Sequence, residues 1–276
     1  MQSAREKEFI KILDKIASSY DVRTVFADFC RMAAISLRNR LPWDDETKRD
    51  ALEAEFNSLQ EKHKAHKDEF PELFALVVNE LEETRTDFLG HVLERLNASN
   101  KGFGQFLTPE CVATLMSKIV NPKTSSRKRL VTKVNDPCCG AGILLLEYAK
   151  EFVAEGGKQS ELFIEASDLD DNAFNISYIQ FFLLGYAAEV TRMDSLSLEV
   201  YEGPWVTIGY YLHDIEAKLK ALRMVDVMHN IFVRPIKEDE PPKLLFGQKP
   251  KEGTSFEVSP SEEEVSVDKW VQQELF

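Results

Sequence analysis

The sequence predicts an α/β fold preceded by an all-helical domain. Three observations carry that expectation. Residues 130–149 read as apolar strand, glycine turn and apolar helix; residues 162–168 repeat the buried-strand pattern and end on a carboxylate; and residues 6–97 carry apolar side chains at helical spacing. With 276 residues and 43% hydrophobic content, the chain can bury one full domain and a smaller one. The expected division is a helical domain over 1–100, an α/β domain built on the glycine turn over 101–235, and an acidic, largely disordered tail over 236–276.

In chain order, Phe9, Leu13, Ile16 and Tyr20 form one helical stripe, and Val25, Phe26, Phe29, Cys30, Ala33 and Leu37 form a second. Residues 44–67 are long and highly charged, and His63 and His66 read as sharing a solvated face there. Pro71 opens a helix carrying Leu73, Phe74, Val77, Val78 and Leu81. These stripes are packing surfaces and are assigned no chemistry. Residues 97–102 are small and polar, as a hinge would be. The first eleven residues mix Arg5, Glu6, Lys7 and Glu8 without an apolar segment, and no run reaches membrane-spanning length. No membrane association is expected, and a cytoplasmic location follows by default.

Beyond the hinge, Thr108 suits a helix N-cap and Pro109 the first helical position, with Val112, Leu115, Met116 and Ile119 recurring at helical spacing up to Asn121 and Pro122. Residues 123–129 concentrate positive charge and read either as a solvated loop or as a phosphate contact. The whole chain carries a net charge of −13, so charge alone does not grip DNA. A basic partner or a local basic groove would have to supply those contacts.

The glycine turn is the centre of the chain. Gly140 and Gly142 let the backbone approach a ligand without a Cβ in the way, and the following helix points free N–H groups at it. A dinucleotide fingerprint needs a third glycine where Leu145 stands, and a P-loop needs a Lys-Ser/Thr pair that is absent. What remains is Asp136-x-x-x-Gly140-x-Gly142. Asp168 ends the second strand at the place where such folds bind ribose hydroxyls. A calcium loop starting at Asp168 fails, because Ala173 stands where glycine is needed and Ile179 where a bidentate Glu is needed. An apolar helix over 174–184 leads to a third short strand, 188–192, which runs into Asp194. Cys30, Cys111, Cys138 and Cys139 form no Cys-x-x-Cys pair and read as reduced thiols, and the histidines are not spaced with them as zinc ligands.

Three stretches now stand in order: Gly102-Phe103-Gly104-Gln105-Phe106-Leu107-Thr108-Pro109, Asp136-Pro137-Cys138-Cys139-Gly140-Ala141-Gly142, and Asp168-Leu169-Asp170. Over roughly residues 70–200 they resemble the N6-adenine DNA methyltransferases of the type I restriction-modification class, in their modification subunit. The resemblance implies a Rossmann-like, S-adenosylmethionine-dependent methyltransferase sheet. It implies a cofactor site made of Asp136, Cys138, Gly140 and Gly142 in the turn, Asp168 on the ribose and Asp194 on the adenine amino group, with Gln105, Phe106, Thr108 and Pro109 folded over the methionine end. It further implies a DNA substrate with a flipped adenine, a partner subunit, and a helical domain that contacts that subunit and closes on DNA.

One family feature is missing. An Asn/Asp-Pro-Pro-Tyr/Phe tetrad is expected at the end of the next strand, where the chain instead reads Tyr201-Glu202-Gly203-Pro204-Trp205-Val206-Thr207-Ile208-Gly209-Tyr210-Tyr211. Trp205 and Tyr210 read as packing aromatics more than as base-stacking ones. No catalytic residue is therefore assigned. Three functions stay open: a DNA adenine-N6 methyltransferase; a homologue that binds the cofactor without transferring methyl and acts as a partner or regulator in restriction, anti-restriction or replication; and, less favoured because the Thr108-Pro109 segment resembles the DNA enzymes, a protein or small-molecule methyltransferase. At the end of the tail, Gln272-x-x-Leu275-Phe276 resembles the pentapeptide that docks on bacterial sliding clamps, with a folded-back C-terminal segment as the alternative.

Overall fold

A computed structural model describes residues 3–17, 20–43, 45–98, 108–120 and 130–232. Gln105, Phe106, the basic run 123–129, the tail and the segment with Gln272, Leu275 and Phe276 lie outside the described residues. The chain through Lys218 forms one compact unit, and a second runs from Leu219.

The N-terminal part is helical as the stripes predict: α1 Ala4–Ile16, α2 Val22–Arg38, α3 Glu46–Lys62, α4 Glu69–Thr84 and α5 Phe88–Ala98. Short polar residues start the first three. Ser3, Asp21 and Asp45 each accept a backbone N–H of the first turn. Phe9 is fully buried and meets Phe26, Phe29 and Phe88 edge-on, with ring centroids 6.4, 5.4 and 5.5 Å away. Pro71 sits inside the first turn of α4, where the missing N–H has no partner to lose. His63 corrects the sequence reading. It follows the last residue of α3, turns inward and is only 2% exposed, held by Asp28 Oδ2 at 2.7 Å from Nε2.

The sheet has the order β1-β2-β3-β4, from strands β1 Thr132–Asp136, β2 Leu162–Asp168, β3 Ala187–Asp194 and β4 Glu199–Val206. The first three are parallel. Val134, Ile164 and Ala188 stand side by side as the buried row. Helices α7 Ile143–Ala154 and α8 Asp171–Leu183 make the crossovers that parallel pairing requires. Asp170 caps α8 through the Ala173 N–H at 2.9 Å. Because α8 packs on β2 and β3 and also against α2, its residues 173–181 are all buried, which is why it shows no polar stripe.

Between α2 and the sheet, Arg31 donates two hydrogen bonds to Glu55 (2.7 and 2.8 Å) and two to Glu202 (3.1 and 2.9 Å). Burial opposes the charge on this guanidinium, but the two carboxylates outweigh it and hold its pKa above the ordinary value.

Helix α6 Glu110–Val120 begins just after Pro109, whose carbonyl accepts from the Val112 and Ala113 N–H groups at 2.9 and 3.1 Å. Its orientation departs from the spacing argument. The small side chains Ala113 and Ser117 are buried, α6 packs on α7, and Thr114 Oγ1 donates to the buried Glu147 at 2.9 Å. Val112, Leu115 and Ile119 are left 40%, 59% and 73% exposed. Close approach of small residues and one hydrogen bond to a buried carboxylate decided the face, not the apolar periodicity.

Strand β4 runs antiparallel to β3, with Trp205 beside Val190 and Val206 beside Glu189. Helices α9 Ile208–Leu212 and α10 Ile215–Phe232 follow. Among the described residues no helix is long and apolar enough to cross a membrane.

Candidate functional site

The parallel strands β1, β2 and β3 end on Asp136, Asp168 and Asp194, so the sheet delivers three carboxylates to one edge. Open α/β sheets bind ligands at such strand ends. The turn after β1 holds two left-handed residues, Gly140 at φ 55° and Gly142 at φ 93°, the second of which caps α7. A Cβ on Gly142 would lie 2.8 Å from Phe181 Cζ. That glycine is thus required by packing against α8, in addition to any ligand.

Backbone groups stitch the strand ends together. Asp168 Oδ2 accepts the Gly140 N–H at 2.8 Å while its Oδ1 accepts the Asp170 N–H at 3.0 Å. The Cys139 N–H donates to the Ser167 carbonyl at 2.9 Å. Ser195 Oγ donates to the Pro137 carbonyl, which brings the turn after β3 to the loop after β1. Asp136 Oδ1 accepts the Cys138 N–H at 3.0 Å, but its Oδ2 is buried with no hydrogen-bond partner among the described residues. Burial pushes the Asp136 carboxyl up, the Cys138 N–H acts against that, and the neighbouring Asp168 charge adds to it. Asp194 behaves oppositely: N–H groups of Leu196 and Ser197, at 2.8 and 3.3 Å, hold its carboxyl below the usual range.

Of the remaining sequence candidates, Cys138 is exposed in the turn, Thr108 is half-buried and Pro109 exposed at the start of α6. Cys139 is buried, and burial pushes its thiol well up. Trp205 is 3% exposed against Phe174 and Tyr178 (4.9 and 5.2 Å between centroids), and Tyr210 lies on Phe163 at 5.8 Å. Tyr210 lies toward the end of the sheet opposite the three carboxylates, whereas Trp205 stands in the row of Val190, Ala166 and Asp136 with its ring packed on α8. Among the described residues no group of His, Cys, Asp and Glu could hold a metal ion.

Sequence reasoning passed over the residue that holds the turn in place. Gln180, fully buried in α8, donates to the Ala141 carbonyl at 3.0 Å and to Asp87 Oδ1 at 2.9 Å, and accepts the Leu89 N–H at 3.2 Å. One side chain thus joins the helical part to the glycine turn. A glutamine set between Ile179 and the apolar run Phe181-Phe182-Leu183 was the available signal. Its partner Asp87 is desolvated, and burial pushes the carboxyl up to about 6 against the opposing bonds from Gln180 and Gly90 and the charge of His91.

A carboxyl with a folded pKa above its unfolded value binds more protons in the fold. Its stabilising effect is present at acid pH and is lost as pH rises from about 4 to about 6. Asp87→Asn keeps the acceptor atom and abolishes the titration. Urea melts at pH 4.5 and pH 7 are expected to show a fall in wild-type stability on the order of 2 kcal/mol between the two, absent from the variant.

A comparison with known protein families matches this region. Residues 84–205 match the model of the family described as N-6 DNA Methylase. The span runs from the end of α4 into β4 and contains Asp87, the glycine turn, Asp168, Gln180 and Asp194. No curated protein matches the chain. Among solved structures it is similar to the methyltransferase subunit of a type I restriction-modification system from Streptococcus thermophilus, at 19% identity and TM-score 0.36 over 68% of this chain and 39% of that one. It is similar also to a protein assigned as a type I restriction enzyme modification subunit from Vibrio vulnificus YJ016, at 20% identity and TM-score 0.33 over 39% and 23%. A third is assigned as a class I S-adenosylmethionine-dependent methyltransferase from Listeria monocytogenes, at 16% identity and TM-score 0.39 over 70% and 54%. The chain spans less than two thirds of the length of each. The matched segment carries an α/β sheet whose three parallel strands end in carboxylates around a glycine turn.

Proposed function

We propose that the chain is the S-adenosylmethionine-binding part of a restriction-modification-type DNA adenine-N6 methyltransferase. The observation that carries this is the meeting of Asp136, Asp168 and Asp194 around the glycine turn inside the N-6 DNA methylase span. The residues fit the cofactor. Asp136 Oδ2 is a buried acceptor lacking a donor among the described residues, which a ligand amino group would provide, and each Asp168 oxygen retains lone pairs for a ribose hydroxyl. Asp194 would receive the adenine amino group, with Gly140, Gly142 and Cys138 bordering the ligand and Gln105, Phe106, Thr108 and Pro109 closing over it. Bound, the cofactor supplies an electrophilic methyl group; the chain's own residues bind and orient it.

The direction of β4 supports a division of labour. It carries Tyr210 toward the far end of the sheet and leaves Trp205 buried against α8, so neither ring is free to stack on a flipped adenine beside the carboxylates. A partner polypeptide would supply those groups, and also the positive charge that DNA binding needs from a protein of net charge −13. The outer edge of β1, which has a strand on one side only among the described residues, and the exposed Val112, Leu115 and Ile119 are surfaces such a strand-bearing partner could cover. The same β4 observation favours a second reading, a cofactor-binding homologue that regulates restriction or replication without transfer.

Incubation with tritiated methyl donor and unmethylated DNA tests the assignment. Label is expected to stay with the protein in equilibrium dialysis and not to enter DNA. Methylation of DNA by the chain alone would contradict the division of labour, and failure to retain the donor would contradict the cofactor.

A further inference from the structure

The glycine turn is held from two sides. From the strand ends, Asp136 Oδ1 accepts the Cys138 N–H, the Ser167 carbonyl the Cys139 N–H and Asp168 Oδ2 the Gly140 N–H, at 3.0, 2.9 and 2.8 Å. These bonds fix the first half of the turn. In the second half the Gly142 N–H donates to the Cys139 carbonyl at 2.8 Å, and the Ala141 carbonyl accepts from Gln180 Nε2 at 3.0 Å. A carbonyl released from Gln180 would let the peptide between Ala141 and Gly142 rotate. The N–H groups of the first turn of α7, which have no partner within the helix, would then lose their fixed aim.

Gln180 does not act alone. The same Nε2 donates to Asp87 Oδ1 at 2.9 Å, that oxygen also accepts the Gly90 N–H at 2.9 Å, and Gln180 Oε1 accepts the Leu89 N–H at 3.2 Å. Asp87 and Gln180 are 2% and 0% exposed, so these groups have no water to turn to. The first turn of α5 and the glycine turn thus share one side chain, and neither shifts without unpairing a buried group of the other. The fit at α5 is tight. A Cβ on Gly90 would overlap the Asp87 carboxylate.

We propose that Gln180 is a positioning residue for S-adenosylmethionine, through which the start of α5 sets the affinity of the glycine turn. This role rests on the assignment of that turn to the cofactor and gives the site a regulation: displacing α5 weakens cofactor binding, and by linkage the bound cofactor steadies α5.

The test is calorimetric titration of the full chain with S-adenosylmethionine, with the Leu89 amide resonance followed in a parallel titration. Gln180→Leu is expected to weaken binding at least about tenfold. Gly90→Ala touches no group of the glycine turn and displaces only Asp87; it is expected to weaken binding at least about threefold. Phe70→Ala, a core truncation in the first turn of α4 that also costs stability, is expected to leave affinity unchanged. In the wild-type chain the Leu89 resonance is expected to move until the cofactor saturates. A folded Gln180→Leu or Gly90→Ala with wild-type affinity, a loss in Phe70→Ala equal to that in Gln180→Leu, or an unmoved Leu89 resonance overturns the role of Gln180 and leaves the cofactor assignment standing. No binding by the folded wild-type chain overturns both. Should circular dichroism show Gln180→Leu unfolded, Gly90→Ala decides.

Discussion

Replacing Gln180 with leucine is expected to lower the free energy of unfolding by about 3–5 kcal/mol, measured by urea denaturation at pH 7. The substitution nearly conserves volume, so no large cavity enters the effect. What changes is the fate of three buried groups. The Leu89 N–H loses its acceptor, the Ala141 carbonyl its donor, and Asp87 a hydrogen bond that helps it carry charge in a buried site. Each unpaired buried group costs about 1–3 kcal/mol, with Asp87 limiting its share by taking up a proton. The loss should therefore shrink toward pH 4.5, where that proton is available. A merely structural apolar packing defect would give no such pH dependence.

The second large effect is expected at Gly142. Its φ of 93° lies where an L-residue is strained, and an added Cβ would meet Phe181 Cζ at 2.8 Å on the fully buried face of α8. Left-handed strain of about 1–2 kcal/mol and overpacking of about 1–3 kcal/mol give an expected loss of roughly 2–5 kcal/mol for Gly142→Ala. Because this residue starts α7 and closes the turn, binding of S-adenosylmethionine should weaken together with stability. Gly156 is the control. It too has a φ of 93°, but nothing lies within 4 Å of its added Cβ, so Gly156→Ala should cost only the strain, about 1–2 kcal/mol, and leave ligand binding untouched. Equal losses at the two positions would show that contact with Phe181 is not what requires Gly142.

The parts of the site that were legible in the sequence are those set by local chemistry. Glycines after an apolar run mark a strand-to-helix turn, and an acid at the end of a buried run marks a strand end, so Asp136, Gly140, Gly142, Asp168 and Asp194 could all be placed. Features decided by tertiary contact were not. The apolar period of α6 runs through Val112, Leu115, Met116 and Ile119, whereas packing on α7 buries Ala113 and Ser117 and covers only Met116 of the four in part. His63 looked solvated among charged neighbours, yet the end of α3 turns it onto Asp28. Gln180 was masked by the apolar helix around it. The direction of β4 could have been read. Only residues 195–198 separate β3 from β4, too few for the crossover that a parallel neighbour needs, so the strand had to return antiparallel and could not end beside the carboxylates.

Calorimetric titration with S-adenosylmethionine, run on the wild-type chain beside Asp168→Ala, tests the central assignment most directly. Asp168 joins the glycine turn to the end of β2 and is the acceptor assigned to the ribose hydroxyls. Saturable binding is expected for the wild-type chain, with affinity falling at least about tenfold in the variant while its circular dichroism stays that of the wild type. Equal affinity in the two proteins, or no binding by a folded wild-type chain, would contradict the assignment of this turn to the cofactor.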